Sequence, residues 1–228
     1  MLTERRDTEE LMDDPALPAF VYRTVLGDLA KVNRTTIAYR PTLQFLGTAL
    51  AKRKEFKLLD VGFGQGDTLR EIARWARRHR KRATLVGVDL NPNSAAVARE
   101  VTPHDLPITY ITGDYADLMD GSWDVIASSL VAHHMSREQL LAFLRTMESE
   151  ARAGWFVNDL HRSTLSYLGY PILAALAGWH RIVRLDGQTS IARAFRTDEW
   201  HELLESASVT GARVERKFPF RLCVSRVR

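Results

Sequence analysis

Between residues 57 and 158 short apolar runs alternate with amphipathic stretches, and this repetition leaves few folds open to the chain. Residues 57–61 form an apolar run that stops at glycines. The stretch 68–80 follows, with Leu69, Ile72, Ala73 and Ala76 at helical spacing on one face. Residues 83–88 repeat the strand pattern, and Asn91-Pro92 offers a helix cap with proline at the first position. Residues 108–111 and 123–129 give a third and a fourth strand. Ser136 and Gln139 then stand in capping-box spacing before Leu140, Leu141, Leu144 and Met147. Residues 154–158 give a fifth strand. Such alternation predicts an α/β fold whose parallel sheet is covered by helices on both faces. The end departs from it, because 213–218 and 220–224 are two strands with only Pro219 between them. They can be joined only as a hairpin, so at least one edge strand is expected to be antiparallel.

Residues 20–50 read as two helices punctuated by Pro41, and residues 160–196 form an insertion too long and too apolar for a plain connection. The insertion carries Leu165, Tyr167, Leu168, Tyr170, Ile172, Leu173, Leu176 and Trp179, which suit either an apolar lid or a buried helix pair and dimer face. At 228 residues the chain fits one domain with an elaboration. A helical cap is expected over 1–54 and the main domain over 55–228. Cys223 is the only cysteine, which excludes an internal disulfide or a cysteine-built zinc site and fits a reducing, cytoplasmic setting. No secretory leader and no membrane span are expected. Arg74, Arg77, Arg78, Arg80, Lys81 and Arg82 cluster toward the end of one surface helix, where cations complement the macrodipole. With a net charge of only +4, a solvated face is the better reading and no nucleic-acid partner is expected.

The most informative segment is Asp60-Val61-Gly62-Phe63-Gly64-Gln65-Gly66-Asp67, between a strand and a helix. Glycines there let the backbone approach a ligand, and the helix-start amides point at its polar groups. Gly62, Gly64 and Gly66 are spaced G-x-G-x-G, unlike the G-x-G-x-x-G of dinucleotide sites. No Lys-Ser/Thr pair follows, which excludes a Walker-type phosphate loop. Asp89 ends the second strand, where a carboxylate can accept both ribose hydroxyls, and Asp114 ends the third, within reach of an exocyclic adenine amine. A helix cap or a solvated turn is the plain alternative for any one of these carboxylates, but less so for three at successive strand ends.

This series, with Trp123-Asp124-Val125-Ile126, resembles the successive motifs of class I S-adenosylmethionine-dependent methyltransferases from about residue 55 to the C-terminus. The resemblance implies a Rossmann-like sheet of seven strands, parallel except for an antiparallel strand in the C-terminal hairpin. It also implies S-adenosyl-L-methionine as cofactor. On that likeness Asp60, Gly62 and Gly64 surround the methionine part and Gly66 completes the loop. Asp89 and Leu90 hold the ribose, Asp114 and Tyr115 flank the adenine, and Ser129 and Leu130 lie beneath the sulfonium. Asn33 and Arg34 are candidates to meet the cofactor carboxylate.

Methyl transfer requires alignment of donor and acceptor, and often deprotonation of the acceptor. His133 and His134 after strand four, and His161 after strand five, leave the same sheet edge as the glycine loop and are candidate bases, with Asp159 as orienting carboxylate. The run from His133 to Glu138 is similar to the segment around the base histidine of small-molecule O-methyltransferases, with His134 where the plant enzymes carry Asp. Adjacent residues of a strand point apart, so no metal site is expected from the two histidines without a turn. The 158–162 run, residues 191–195 and Phe218-Pro219-Phe220 resemble bacterial methyltransferases of polyketide pathways and the polyprenyl-benzoquinol methylases. The acceptor implied is a small phenolic, polyketide or quinol-like hydroxyl compound, and the protein a monomer or homodimer. C-methylation of an electron-rich ring and a nicotinamide-binding oxidoreductase are the alternatives.

Overall fold

The computed structural model describes Leu2 and residues 4–228. Its seven strands are β1 (Glu55–Val61), β2 (Arg82–Asp89), β3 (Ile108–Thr112), β4 (Val125–Ser129), β5 (Gly154–Leu160), β6 (Arg213–Lys217) and β7 (Arg221–Val227). They form one sheet in the order β3-β2-β1-β4-β5-β7-β6, parallel from β3 to β5, with β7 antiparallel to both of its neighbours. This is the class I methyltransferase topology. The hairpin is the expected one: its antiparallel strand, β7, lies one place in from the edge, and the edge strand β6 pairs antiparallel with it.

The buried strands show why the apolar runs are continuous. Along β1, Phe56 and Leu58 join one core cluster while Leu59 and Val61 join the other, so both faces are covered. One face packs on α2 (Arg40–Ala49) and α3 (Asp67–Arg78), which supply Phe45, Leu46, Leu69, Ile72 and Trp75. The opposite face packs on α5 (Arg137–Glu150) and α8 (Thr197–Ser206), which supply Phe143, Leu144, Met147, Trp200 and Leu203.

Local chemistry sets the boundaries. The capping box at α5 forms as its spacing predicts, with Ser136 and Gln139 reciprocally bonded. The helix after β2, α4, covers Ser94–Val101 and starts later than Asn91-Pro92 suggests, because the Asn91 side chain accepts the Asn93 N–H and makes a separate turn first. Trp123 lies outside β4, its indole N–H donating to the Leu118 carbonyl. Pro41 sits in the first turn of α2 rather than between the helices; the break after α1 (Ala19–Thr35) comes earlier, where Ile37 adopts a φ of 52°.

The insertion is a helix pair, α6 (Thr164–Leu176) and α7 (Arg181–Arg193), packed on α1 through Val25, Ala174, Trp179 and Val183. Pro171 lies inside α6 and cannot donate to the Tyr167 carbonyl, which instead accepts the Gln188 side-chain amide from α7. Leu165, Leu168, Ile172 and Leu176 stay exposed on its outer face. Among the described residues no helix is long and apolar enough to cross a membrane.

Candidate active site

The carboxyl edge of the sheet, α1, α7 and the N-terminal segment enclose a cavity of about 640 Å³. At one end is the glycine loop. Gly62 has a φ of 74°, and a Cβ there would come within 2.2 Å of the Val131 side chain, so no other residue fits. Asp89 organises the loop: its Oδ2 accepts the Gly64 N–H at 2.8 Å and its Oδ1 the Asn91 N–H at 2.9 Å. Burial raises the Asp89 pKa in spite of these bonds. Asp114 caps a 3-10 turn by accepting the Ala116 N–H, and the Tyr115 ring stands edge-on to Phe143. Ser129 and Leu130 line the floor, Leu130 with a φ of 62° that is strained for a branched side chain.

Asp60 is buried in the same wall, and its Oδ1 has no hydrogen-bond partner among the described residues. Burial, followed by the negative charges of Asp67 and Asp89, holds its carboxyl well above the ordinary value. Arg221, at the start of β7, is its counterpart: it is buried, its Nη2 donates to Asn33 Oδ1 at 3.0 Å, and its Nη1 is unpartnered. Asn33 and Tyr39 in turn donate to Asp67 Oδ2. The cavity wall thus holds a buried acid, Asp60, and a buried cation, Arg221, each with one polar atom that has no hydrogen-bond partner among the described residues.

His133 and His134 line the same cavity. After β4 the chain makes a 3-10 turn, Ala132–His134, which brings the His133 and His134 rings together with centroids 4.3 Å apart and planes tilted by 38°. His133 is 2% exposed, with Nδ1 2.6 Å from Asp159 Oδ1, while its backbone N–H donates to Asp159 Oδ2. Its Nε2 lies 3.4 Å from Glu10 Oε1. Burial alone would strip the ring of its charge, but Asp159 and Glu10 outweigh it and push the His133 pKa up to about 9. The same contacts hold Asp159 and Glu10 below the usual carboxylate range against the cost of their own burial. His134 is partly exposed, its Nδ1 2.9 Å from Asp13 Oδ2.

Asp60, Gly62, Gly64, Asp89, Leu90, Asp114, Tyr115, Ser129, Leu130, His133 and His134 all line this cavity. Gly66, His161, Arg34 and Asp159, also singled out in the sequence, are not among its lining residues. Gly66 caps α3 with a φ of 72° and makes room for the Tyr110 hydroxyl, a packing role. His161 donates its backbone N–H to the Phe220 carbonyl, and burial with Arg216, Arg196 and Arg162 lowers its pKa. Asn33 reaches the site and Arg34 is exposed to solvent. Sequence reading missed Glu10, Asp13 and Arg221. The only sign of Arg221 was an arginine opening an apolar strand, and the polar segment around Glu10 gave none. Of the basic cluster, Arg74 pairs with Glu71 and Arg77 with Asp105.

Residues 58–154 match a family model described as a methyltransferase domain. The structure is similar to that of the plantazolicin methyltransferase BpumL in complex with a triazolic desmethylPZN analog and SAH (13% identity, 92% of this chain and 96% of that chain, TM-score 0.65). It is also similar to human N-acetylserotonin methyltransferase in complex with SAM (13% identity, TM-score 0.65), where 92% of this chain covers 56% of that chain. A third likeness is to magnesium protoporphyrin IX methyltransferase from Synechocystis PCC 6803 with bound SAH (16% identity, 95% of this chain and 90% of that chain, TM-score 0.56). No curated protein sequence matches the chain significantly. The domain and fold bear out the resemblance carried by the motifs.

Proposed function

We propose that this chain, a methyltransferase domain on the class I fold, transfers a methyl group from S-adenosyl-L-methionine to a hydroxyl of a small aromatic acceptor. The observation that carries the reading is one continuous cavity lined by the glycine loop, Asp89 and the clamped His133. The residues fit the cofactor. An amino acid end bears an ammonium and a carboxylate, and Asp60 Oδ1 and Arg221 Nη1, two buried atoms of the cavity residues without a partner among the described residues, have the complementary charges. Asp89 has lone pairs left for the ribose hydroxyls, and Asp114 and Tyr115 stand where the adenine would lie. Bound there, S-adenosylmethionine supplies an activated methyl group on a positively charged sulfur.

The chain's own residues do the rest. Asp159 fixes the His133 ring through Nδ1, and the unit Glu10–His133–Asp159 faces the acceptor part of the cavity with two carboxylates around one imidazole. Its excess negative charge favours a sulfonium nearby, and the neutral form of His133, which predominates only above pH about 9, takes the proton that the acceptor hydroxyl gives up. His134 packs on His133 and lines the same pocket. The helix pair α6–α7, with Tyr170, Val183 and Ile191 on the cavity, acts as the apolar lid over the acceptor, and α1 closes the cofactor side.

The solved neighbours act on plantazolicin, N-acetylserotonin and magnesium protoporphyrin IX by their names, which supports a small-molecule acceptor. The test is an acceptor screen with methyl-labelled cofactor and product mass as readout, preceded by calorimetry with S-adenosylhomocysteine. Labelled phenols or quinols are the expected products; heat with S-adenosylhomocysteine but label on carbon would replace oxygen by a ring carbon. Absence of binding would remove the proposal.

A further inference from the structure

Each of the two adjacent histidines has its Nδ1 engaged by a carboxylate, His133 by Asp159 at 2.6 Å and His134 by Asp13 at 2.9 Å. An imidazole that donates Nδ1–H to a carboxylate presents an Nε2 lone pair, which is how metal-ligating histidines are commonly oriented. Both Nε2 atoms face the same third group: Glu10 Oε1 lies 3.4 Å from that of His133 and 3.7 Å from that of His134. The three donor atoms all lie within 4.8 Å of one another. Bonds of about 2.0–2.1 Å in a tetrahedral site put donors about 3.4 Å apart, so only a small contraction is needed.

From this geometry we infer that Glu10, His133 and His134 form a binding site for a divalent transition-metal ion of the zinc or manganese kind. Two imidazoles and one carboxylate suit such an ion better than magnesium or calcium, which take oxygen ligands. Glu10 comes from the N-terminal segment and the histidines from the turn after β4, so the ion would tie one to the other. That segment is already positioned by Asp186, which accepts the Leu11 and Met12 N–H groups, and by Ser190, whose hydroxyl donates to Glu10 Oε1. Arg5 and Arg193, the nearest cations, bond the His133, His134 and Met135 carbonyls rather than the rings. All three ligands line the cavity, which leaves a coordination position toward the acceptor.

The inference rests on the methyl-transfer reading for its chemistry. With the ion seated, the acceptor hydroxyl binds it as a further ligand and its proton leaves to solvent, not to His133. The oxygen–methyl bond forms as the sulfur–methyl bond breaks, sulfur keeps the electron pair, and the ion's oxidation state is unchanged.

The experiment uses the untagged full chain, freed of metal by a chelator and titrated with Zn²⁺ alone by calorimetry and with Co²⁺ by visible absorption. One equivalent is expected to bind, with cobalt d–d bands of a four-coordinate site and a raised Tm. Glu10→Gln and His134→Ala should abolish stoichiometric binding, and Asp13→Ala should weaken it about 10–100-fold while Asp13→Asn, which can still accept from Nδ1–H, largely restores it. No stoichiometric binding, or binding unchanged in Glu10→Gln and His134→Ala, overturns the site. Methyl transfer at full rate in the chelated chain overturns its catalytic part and leaves the methyl-transfer reading standing. Stoichiometric binding that the variants abolish, in a chain that methylates no acceptor, upholds the site and counts against that reading instead.

Discussion

Asp89 and Gly64 are joined across the mouth of the cavity, the carboxylate Oδ2 of one accepting the backbone N–H of the other at 2.8 Å. The acid at the end of β2 therefore shapes the glycine loop as well as facing the ribose position. Asp89→Ala removes both effects. Charge-assisted hydrogen bonds are each worth about 1.5–3 kcal/mol, so affinity for S-adenosylhomocysteine should fall about 10–150-fold per bond lost. Calorimetry measures it directly, and unchanged affinity would dismiss the ribose assignment.

Asp60 trades stability for binding. Its folded-state pKa lies above that of the unfolded chain, chiefly through burial. Between the unfolded value near 4 and the raised folded one, the folded state binds the extra proton, so this group's contribution to stability is full in acid and is lost as pH rises. Asp60→Asn should flatten that slope and raise the Tm of the free protein at neutral pH, by about 2–4 °C for each kcal/mol recovered. The same variant should lose cofactor affinity, because an amide leaves the ammonium unpaired. Thermal melts at acid and neutral pH, with and without S-adenosylhomocysteine, check both halves. A variant that is destabilised at neutral pH would show that the carboxylate is compensated after all.

How far the sequence reaches depends on whether the signal is local. The strands of the sheet are legible because β1 to β5 are buried on both faces and read as apolar runs, and the capping box of α5 is contained in four residues. The three carboxylates at strand ends are legible for the same reason: each closes its own run. The acceptor end is not local. His133 and His134 converge through a 3-10 turn that no periodicity announces, Asp159 arrives from the next strand, and Glu10 and Arg221 come from opposite ends of the chain. Gly66 and His161 mislead in the opposite direction. Their residue types suit a site, while Gly66 packs against Tyr110 and His161 is not among the residues that line the cavity.

His133 and His161 should therefore part ways under mutation. A positioned acid–base group contributes about 10²–10⁴-fold to rate, so His133→Gln should lower kcat by that order with little change in cofactor affinity. His161→Gln should leave kcat and both affinities unchanged. His133 is buried against Asp159, and its loss leaves a carboxylate unpaired, so a melt must accompany the assay. Asp159→Asn provides the second variant: it keeps the shape, still accepts a hydrogen bond and should lose rate as well. Equal activity of the His133 and His161 variants would remove the acid–base unit.

The lid is held at one point of very close approach. Gly187 in α7 faces the Tyr170 ring of α6, where an added Cβ would lie 2.0 Å from Cε1. The Tyr170 hydroxyl donates to the Val183 carbonyl, so the ring is pinned at both ends and cannot simply swing away. Gly187→Ala must push the two helices apart, at an overpacking cost of about 1–3 kcal/mol. Because both residues line the acceptor side of the cavity, acceptor KM should rise while the Kd for S-adenosylhomocysteine stays constant. Tyr170→Phe tests the pin separately, since it removes the hydroxyl without changing the ring and should cost about 0.5–1.5 kcal/mol. A melt that shifts with no change in KM would make α6–α7 a structural pair and not a lid.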